Sequence, residues 1–328
     1  MHAAVYPRSG DADVVEIREV PDPVPGSDDV LVDVAYAGLN RADILERLGL
    51  YGPPEPGGGP PIPGLEFAGT IAAVGANVRR RAAGERVFGI ATGGAHAERI
   101  SVPAQMAMRV PDEIDFRTAA AIPEAFMTAW DALFRIGRFG LGQTVLIHAV
   151  GSGVGLAAVA LAKAAGGFAI GTSRTPDKLE RAAELGLDRG MLLGDDWPAA
   201  SRALGGGRGA DVVLDFLGAS VFDRNTQAVA PSGRIVQVGT LAGAAGEVSL
   251  RYLMGKRASL IGTVLRARPL DEKIALAREF EAHAVPLFAR GILHGAIDRV
   301  YPLDDIRAAH RRMEADENFG KILLKISA

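Results

Sequence analysis

The sequence predicts an α/β chain of two domains, one β-rich and one built on a doubly wound parallel sheet. Three observations carry that reading: a length of 328 residues, a first third that alternates at period two, and a middle third in which solid apolar runs alternate with helical patterns. At roughly 100–200 residues per domain the length fits about two domains. A hydrophobic content of 48% is enough to fill their cores.

The first domain is read from the bursts VVEIREV, DVLVDVAYAG, FAGTIAAVG, ERVFGI and HAERISV, each punctuated by Gly or Pro. Period-two alternation buries one face of a strand, and the punctuation turns the chain, so the bursts predict a compact β-rich domain. Residues 50–64, LYGPPEPGGGPPIPG, are too rich in Pro and Gly for a helix or a paired strand. Such a segment either covers a binding cleft or makes a stiff surface connection.

Near Pro123 the rhythm changes. TVLIHA, FAIGT, DVVLDF, RIVQVG and ASLIGT are rich in Val, Ile and Leu with little alternation, as in parallel strands covered on both faces. Between them VGLAAVALAKAAG, PDKLERAAELG and SVFDRNTQAVA read as helices. Repeated strand–helix–strand units make a doubly wound sheet, which binds dinucleotides outside the carboxyl ends of its strands. After Thr263 a long helix is expected across PLDEKIALAREFEAHAVPLFARG, then closing strands around DRVYPL and GKILLKI. The simplest arrangement places 1–122 and 264–328 in one domain around a nucleotide domain at 123–263.

Composition narrows the function. The formal net charge is −3 and the pI near 6.1, so there is no basic excess for nucleic acid or anionic lipid, and the expected partner is a small molecule. Cysteine is absent, which excludes disulfides, thiolate nucleophiles, iron–sulfur clusters and zinc sites built on Cys. The N-terminus has no apolar run behind basic residues, and the longest apolar stretch, 156–167, is interrupted by Lys163 and too short to span a bilayer. A cytoplasmic protein is expected.

The turn in HAVGSGVGLAAVALAKAAG follows a strand and opens a helix, the context a phosphate-binding loop requires. Gly151, Gly153 and Gly155, with Ser152 and Val154 between them, let the backbone turn tightly and bring a pyrophosphate to the helix N-terminus. Ser152 stands where a dehydrogenase usually has its middle glycine. An NAD site places an acidic residue about 20 residues further on, at the end of the second strand, to bind the ribose 2′-hydroxyl. Here FAIGTSRTPDKLERA offers Ser173, Arg174 and Lys178 instead, a hydroxyl and two cations suited to a 2′-phosphate. The bland alternative is that both cations are solvated, but the helix dipole disfavours them at an N-terminus. NADPH is the expected cofactor.

The blocks GLNRADILERLGLYGPP, GLEFAGTIAAVG, GERVFGI and HAVGSGVG resemble, in order, those of the zinc-free quinone oxidoreductases, the zeta-crystallin-like branch of the medium-chain dehydrogenase/reductase superfamily. The likeness covers essentially the whole chain. The C-terminal text SLIGTVLRAR and DRVYPLDDIRAAHRRMEADENFGKILL is similar to the tumour-suppressor-inducible quinone reductase subgroup. The resemblance implies a GroES-like catalytic domain, a Rossmann NADPH-binding domain and a homodimer joined through the last strand of the nucleotide domain, here ASLIGT. It puts Asn40 and Leu65 where zinc-dependent relatives carry Cys and His ligands, and Leu65 cannot coordinate a metal. Glu66, beside Leu65, is expected to be a structural carboxylate paired with a cation such as Arg41.

By the same resemblance Asn40 lies near the nicotinamide and Tyr51 near the substrate. The Tyr51 hydroxyl would orient a quinone oxygen or donate to developing negative charge; the alternative is a tyrosine that anchors the Pro-rich loop. Thr128 is implied as a cofactor contact, though from sequence alone it is a helix residue. Gly218, Gly239 and Thr240 follow the fourth and fifth apolar strands, at the edge a dinucleotide crosses. Leu265, Arg266 and Asn318 match segments that border the nicotinamide pocket in relatives. His2, His96, His148, His283, His294 and His310 form no triad that spacing justifies and are read as surface or packing residues. The implied activity is metal-free quinone reduction, which needs chiefly a positioned hydride donor and takes its proton from solvent. The alternatives are an enoyl or alkenal reductase and a non-catalytic NADPH-binding protein.

Overall fold

The computed structural model describes residues 1–50 and 61–327. Met1–Met127 with Arg268–Ala328 forms one compact unit and Thr128–Ala267 another.

In the first unit β1 (His2–Val5) pairs antiparallel with β2 (Glu16–Glu19). The main sheet is built around β3 (Asp29–Leu39), which runs antiparallel to β4 (Glu66–Val74), and continues through β5 (Arg86–Ile90). β6 (Arg99–Pro103) pairs with β3, and β7 (Met108–Arg109) with β5. Alternation along β3 buries Val30, Val32 and Val34; the register then shifts before Tyr36, and Ala37 and Leu39 become the buried positions. One extra residue in a strand exchanges its faces, so this bulge turns the end of β3 inward. Val30, Val32, Val34, Phe67, Ile71 and Val87 form the core on this sheet. Helix α1 (Arg41–Arg47) follows β3 directly, and α2 (Phe116–Ala120) and α3 (Pro123–Trp130) follow later. A π-helical turn at Asp131–Ile136 continues α3.

The second unit alternates β8 (Thr144–Ile147), α4 (Gly153–Ala164), β9 (Phe168–Ser173), α5 (Pro176–Glu184), β10 (Arg189–Leu192), α6 (Trp197–Leu204), β11 (Ala210–Asp215), α7 (Phe222–Ala228), β12 (Val229–Gln237), α8 (Leu250–Lys256) and β13 (Ser259–Gly262). Its strands pair in parallel in the order β10-β9-β8-β11-β12-β13, so the winding reverses between β8 and β11. All four residues of β8 are buried, as the unalternating run TVLI requires. The short pair β10 and α6 lies outside the apolar runs and helical patterns that the sequence displays.

The chain returns to the first unit through α9 (Leu270–His283), α10 (Val285–Ala289), β14 (Ile297–Pro302), α11 (Ile306–Glu314) and β15 (Lys321–Lys325), the last pairing with β3 and β14. The single long helix expected here is two: α9 stops at His283 and α10 restarts with Pro286 in its first turn. Proline has no N–H to donate and crowds the preceding turn, which breaks the helix. Among the described residues no helix is long and apolar enough to cross a membrane.

Candidate active site

In the first unit the inward end of β3 leads to Asn40, which precedes α1. Its amide is held at both ends: Nδ2 donates to Glu66 Oε1 at 2.9 Å, and Lys321 Nζ donates to Oδ1 at 2.6 Å. Lys321 also ion-pairs with Glu66 Oε1 at 2.5 Å and donates to the Leu39 carbonyl at 3.0 Å. The second Glu66 oxygen accepts the backbone N–H of Glu124 at 2.8 Å. Glu66 is fully buried and Lys321 4% exposed, so charge and hydrogen bonds compensate each other away from water. The carboxylate has room because residue 38 is glycine: a Cβ there would lie 2.1 Å from Glu66 Oε1. The cation on Glu66 is therefore Lys321, in place of the expected Arg41, which sits on the first turn of α1 and pairs with Asp316.

Two more acids and a histidine border this group. Asp43, fully buried, accepts the N–H of Asn40 at 2.7 Å and that of Gly64 at 3.2 Å. Burial pushes its carboxyl up to about 7 against the pull of the Asn40 N–H. His96 accepts no charge easily: burial brings it down to about 4, and its Nε2 lies 3.1 Å from the Gly38 carbonyl. A nitrogen facing a carbonyl must carry the proton, so His96 is the neutral Nε2–H tautomer, and its Nδ1 has no partner among the described residues. Glu124, in the first turn of α3, is half-buried; burial, then repulsion from Glu66, pushes it up to about 8. Asn318 lies in the same unit, where its side chain donates to the Gly320 carbonyl at 3.0 Å. Tyr51 lies outside the described residues.

In the second unit the glycine-rich turn sits at the carboxyl end of β8. Ser152 caps α4, its Oγ accepting the N–H of Gly155 at 3.0 Å. Gly155 packs so tightly under the turn that a Cβ would lie 2.7 Å from the carbonyls of both Ala149 and Val150. Gly151 is buried, and Gly153 and Val154 are partly exposed on the first turn of α4, whose N–H groups have no partners within the helix. Ser173 ends β9 and is buried, Arg174 is exposed and Lys178 is half-buried in α5. Gly218 (φ +91°) follows β11, and Gly239 and Thr240 follow β12 along the same edge. The Thr128 hydroxyl is buried and has no hydrogen-bond partner among the described residues. Leu265 is buried and Arg266 half-buried, both after β13.

A buried polar chain lies beneath that edge. Asn225 Nδ2 donates to Asp215 Oδ2 at 2.8 Å, so its Oδ1 must accept from His148 Nε2 at 2.7 Å, which leaves His148 Nδ1 to accept the Thr172 hydroxyl at 2.7 Å. Burial lowers the His148 pKa and keeps the ring neutral, packed edge-on to Trp197. Asp215 Oδ1 then accepts the N–H groups of Leu217 and Gly218, at 2.7 and 3.0 Å. Ends of three strands are thus locked together by one chain of hydrogen bonds. From sequence His148 reads as packing, and Thr172, Asp215 and Asn225 do not stand out as site residues. A signal is nonetheless present, since TVLIH and DVVLD each end an apolar strand on a polar residue at the ligand-facing edge.

Comparison with known proteins matches this fold. Residues 26–112 match the family described as Alcohol dehydrogenase GroES-like domain, and residues 153–279 the one described as Zinc-binding dehydrogenase. The chain belongs to the medium-chain dehydrogenase/reductase superfamily of oxidoreductases. Solved quinone oxidoreductases are among the structures it resembles, at 27% identity. The crystal structure of Escherichia coli quinone oxidoreductase complexed with NADPH is 27% identical, with a TM-score of 0.89 over 99% of this chain and 100% of that one. An NAD-dependent alcohol dehydrogenase is 30% identical, with a TM-score of 0.88 over the whole of both chains. A phenolphthiocerol/phthiocerol polyketide synthase of Mycobacterium tuberculosis is 32% identical over 323 residues, 97% of this chain, which spans 14% of that much longer protein. The name of the second family implies zinc, and the residues here do not fit it. Leu65 is buried and apolar, Asn40 spends its amide on Glu66 and Lys321, and the chain has no cysteine.

Proposed function

We propose that this chain reduces quinones with NADPH, by hydride transfer and without a metal. The observation that carries this reading is the first-unit cluster, in which an ion pair of Lys321 with Glu66 and the amide of Asn40 form the polar centre beside apolar Leu65. Without a Lewis acid to polarise an alcohol or a plain carbonyl, the substrate must itself be electron-poor, as a quinone is. NADPH, when bound, supplies the hydride. Residues Gly151, Ser152, Gly153, Val154 and Gly155 would hold its pyrophosphate at the α4 N-terminus. The buried hydroxyl of Thr128, without a partner among the described residues, fits a further cofactor contact. Gly218, Gly239 and Thr240 would line its path, and Leu265, Arg266 and Asn318 would border the nicotinamide.

The choice of NADPH rests on this chain's own residues, because similar structures include both an NADPH complex and an NAD-dependent enzyme. No acid ends β9: Ser173 closes the strand, Arg174 follows it and Lys178 lies on the first turn of α5. The proposed setting is the cytoplasm, and the proposed assembly is a homodimer through β13. That strand ends the sheet with Leu260 46% exposed, and α8 beside it in sequence buries none of its residues. Light scattering at micromolar concentration should give a dimer; a monomer would overturn the assembly.

Steady-state NADPH oxidation with a panel of ortho-quinones, para-quinones and α,β-unsaturated carbonyls tests the activity, and the quinones should give the highest kcat/KM. The reverse order selects reduction of an activated alkene, the reading favoured by the match of nearly this whole chain to part of a polyketide synthase. Tight NADPH binding with no turnover on any acceptor selects a non-catalytic binding protein.

A further inference from the structure

The first-unit cluster holds more acid than its ion pair needs. Glu66 spends both oxygens, on Lys321 and Asn40 at one side and on the Glu124 N–H at the other. Asp43 likewise spends both, on the N–H groups of Asn40 and Gly64. Glu124 differs. Its backbone is fixed against Glu66, yet among the described residues its carboxyl accepts no hydrogen bond and makes no ion pair, and it is only half-buried. It is the member of the group whose carboxyl has both an uncommitted oxygen and access to solvent.

We propose that Glu124 is the acid that delivers the proton completing acceptor reduction, a step that rests on the reductase reading above. The charged groups that face it come from four elements: Glu66 on β4, Lys321 on β15, Asp43 on α1 and Lys273 on α9. The ammonium of Lys321 is already engaged by Glu66. Burial and the Glu66 charge together outweigh both lysines and hold Glu124 protonated through neutral pH. A free helix N-terminus favours the ionised form, so the neutral acid persists against its own helix.

The step balances. An acceptor that takes a hydride gains two electrons and one hydrogen and carries the negative charge on oxygen. The Glu124 O–H bond breaks, the proton joins that oxygen, and a quinone becomes a hydroquinone. Glu124 is left as a carboxylate and recovers a proton from solvent through its exposed edge. An acid with a pKa close to the working pH is the most effective donor.

The experiment compares wild type with Glu124→Gln and Glu124→Asp, using NADPH and a para-quinone. Wild-type kcat/KM should be level below pH 8 and fall tenfold per unit above it, with a solvent deuterium isotope effect. Glu124→Gln should lose about 10²–10⁴-fold in rate and lose the alkaline limb, and Glu124→Asp should recover part of the rate. Infrared difference spectroscopy of wild type minus Glu124→Gln, without substrate, should show a carboxylic-acid C=O band at pH 7 that titrates away near pH 8. Absence of that band, or an unchanged rate and pH profile in Glu124→Gln, overturns the proposal. If wild type reduces no acceptor while the band is present, the reductase reading fails and takes the donor role with it. If wild type turns over and Glu124→Gln matches it, the donor alone is wrong.

Discussion

The turn at 148–155 and the cluster around Glu66 place polar groups by opposite means. In the turn, every decisive contact is local: Ser152 caps Gly155, and Gly155 packs on Ala149 and Val150. In the cluster every decisive contact is distant, since Asn40, Glu66, Glu124 and Lys321 come from the ends of four separate elements. A local site is set by backbone geometry and survives changes elsewhere. A distant one is set by charge balance in a buried volume, and it fails as a unit when one charge is removed.

The largest expected effect breaks that unit. Lys321→Met removes the ammonium and leaves Glu66 buried without its cation, which should cost about 3–5 kcal/mol of stability. The double variant Glu66→Gln with Lys321→Met should recover much of that loss, because no buried charge remains. Chemical denaturation of the two singles and the double gives the coupling directly, and simple additivity would show that the pair does not act as one. Loss of the capping hydroxyl in the turn, Ser152→Ala, should cost less.

This contrast also explains what is legible in the sequence. The two-part α/β architecture follows from periodicity, because alternation along β3 and its loss along β8 are properties of neighbouring residues. The capping serine and the glycines of the turn are legible for the same reason. Lys321 is not, since GKILLK reads as a strand with polar ends, and only pairing of β15 with β3 brings its ammonium to Glu66. Arg41 is the cation that closeness to Asn40 in sequence suggests, but it opens α1 and meets Asp316 instead. His148 hides in the same way: its role depends on Asn225 and Thr172, which belong to other elements. The break between α9 and α10 is visible as Pro286, and the helical pattern on both sides masks it.

A middle-sized effect sharpens the second unit's side of the comparison. Replacing Arg174 and Lys178 by Ala should lower the NADPH/NADH ratio of kcat/KM by about 10- to 150-fold, the equivalent of roughly 1.5–3 kcal/mol for charged hydrogen bonds to a phosphate. An unchanged ratio would remove the 2′-phosphate assignment. Stability should hardly move, because Arg174 is exposed and Lys178 half-buried.

Tyr51→Phe should lower kcat by about 5- to 150-fold, or roughly 1–3 kcal/mol, if the hydroxyl donates to a developing oxyanion. Affinity for NADPH should stay the same. A silent Tyr51→Phe beside an impaired Tyr51→Ala would make the ring a packing wall, and proton delivery would then fall to Glu124 alone.

The smallest expected effect is at Ser152, and it separates two roles that the turn assigns to one hydroxyl. As an N-cap, Ser152 satisfies the Gly155 N–H, so Ser152→Ala should cost about 1 kcal/mol of stability. Glycine also suits an N-cap position, because a bare backbone there lets water reach the free N–H groups, so Ser152→Gly should cost only a few tenths of a kcal/mol. If the hydroxyl serves the helix alone, Ser152→Gly leaves the KM for NADPH unchanged, and Ser152→Ala shifts the melting temperature without shifting KM. If it also reaches the pyrophosphate, both variants raise KM together while differing in stability. Thermal melts paired with NADPH titrations read the two roles independently. A Ser152→Gly variant as unstable as Ser152→Ala would mean that the turn, like the cluster, depends on contacts beyond its own residues.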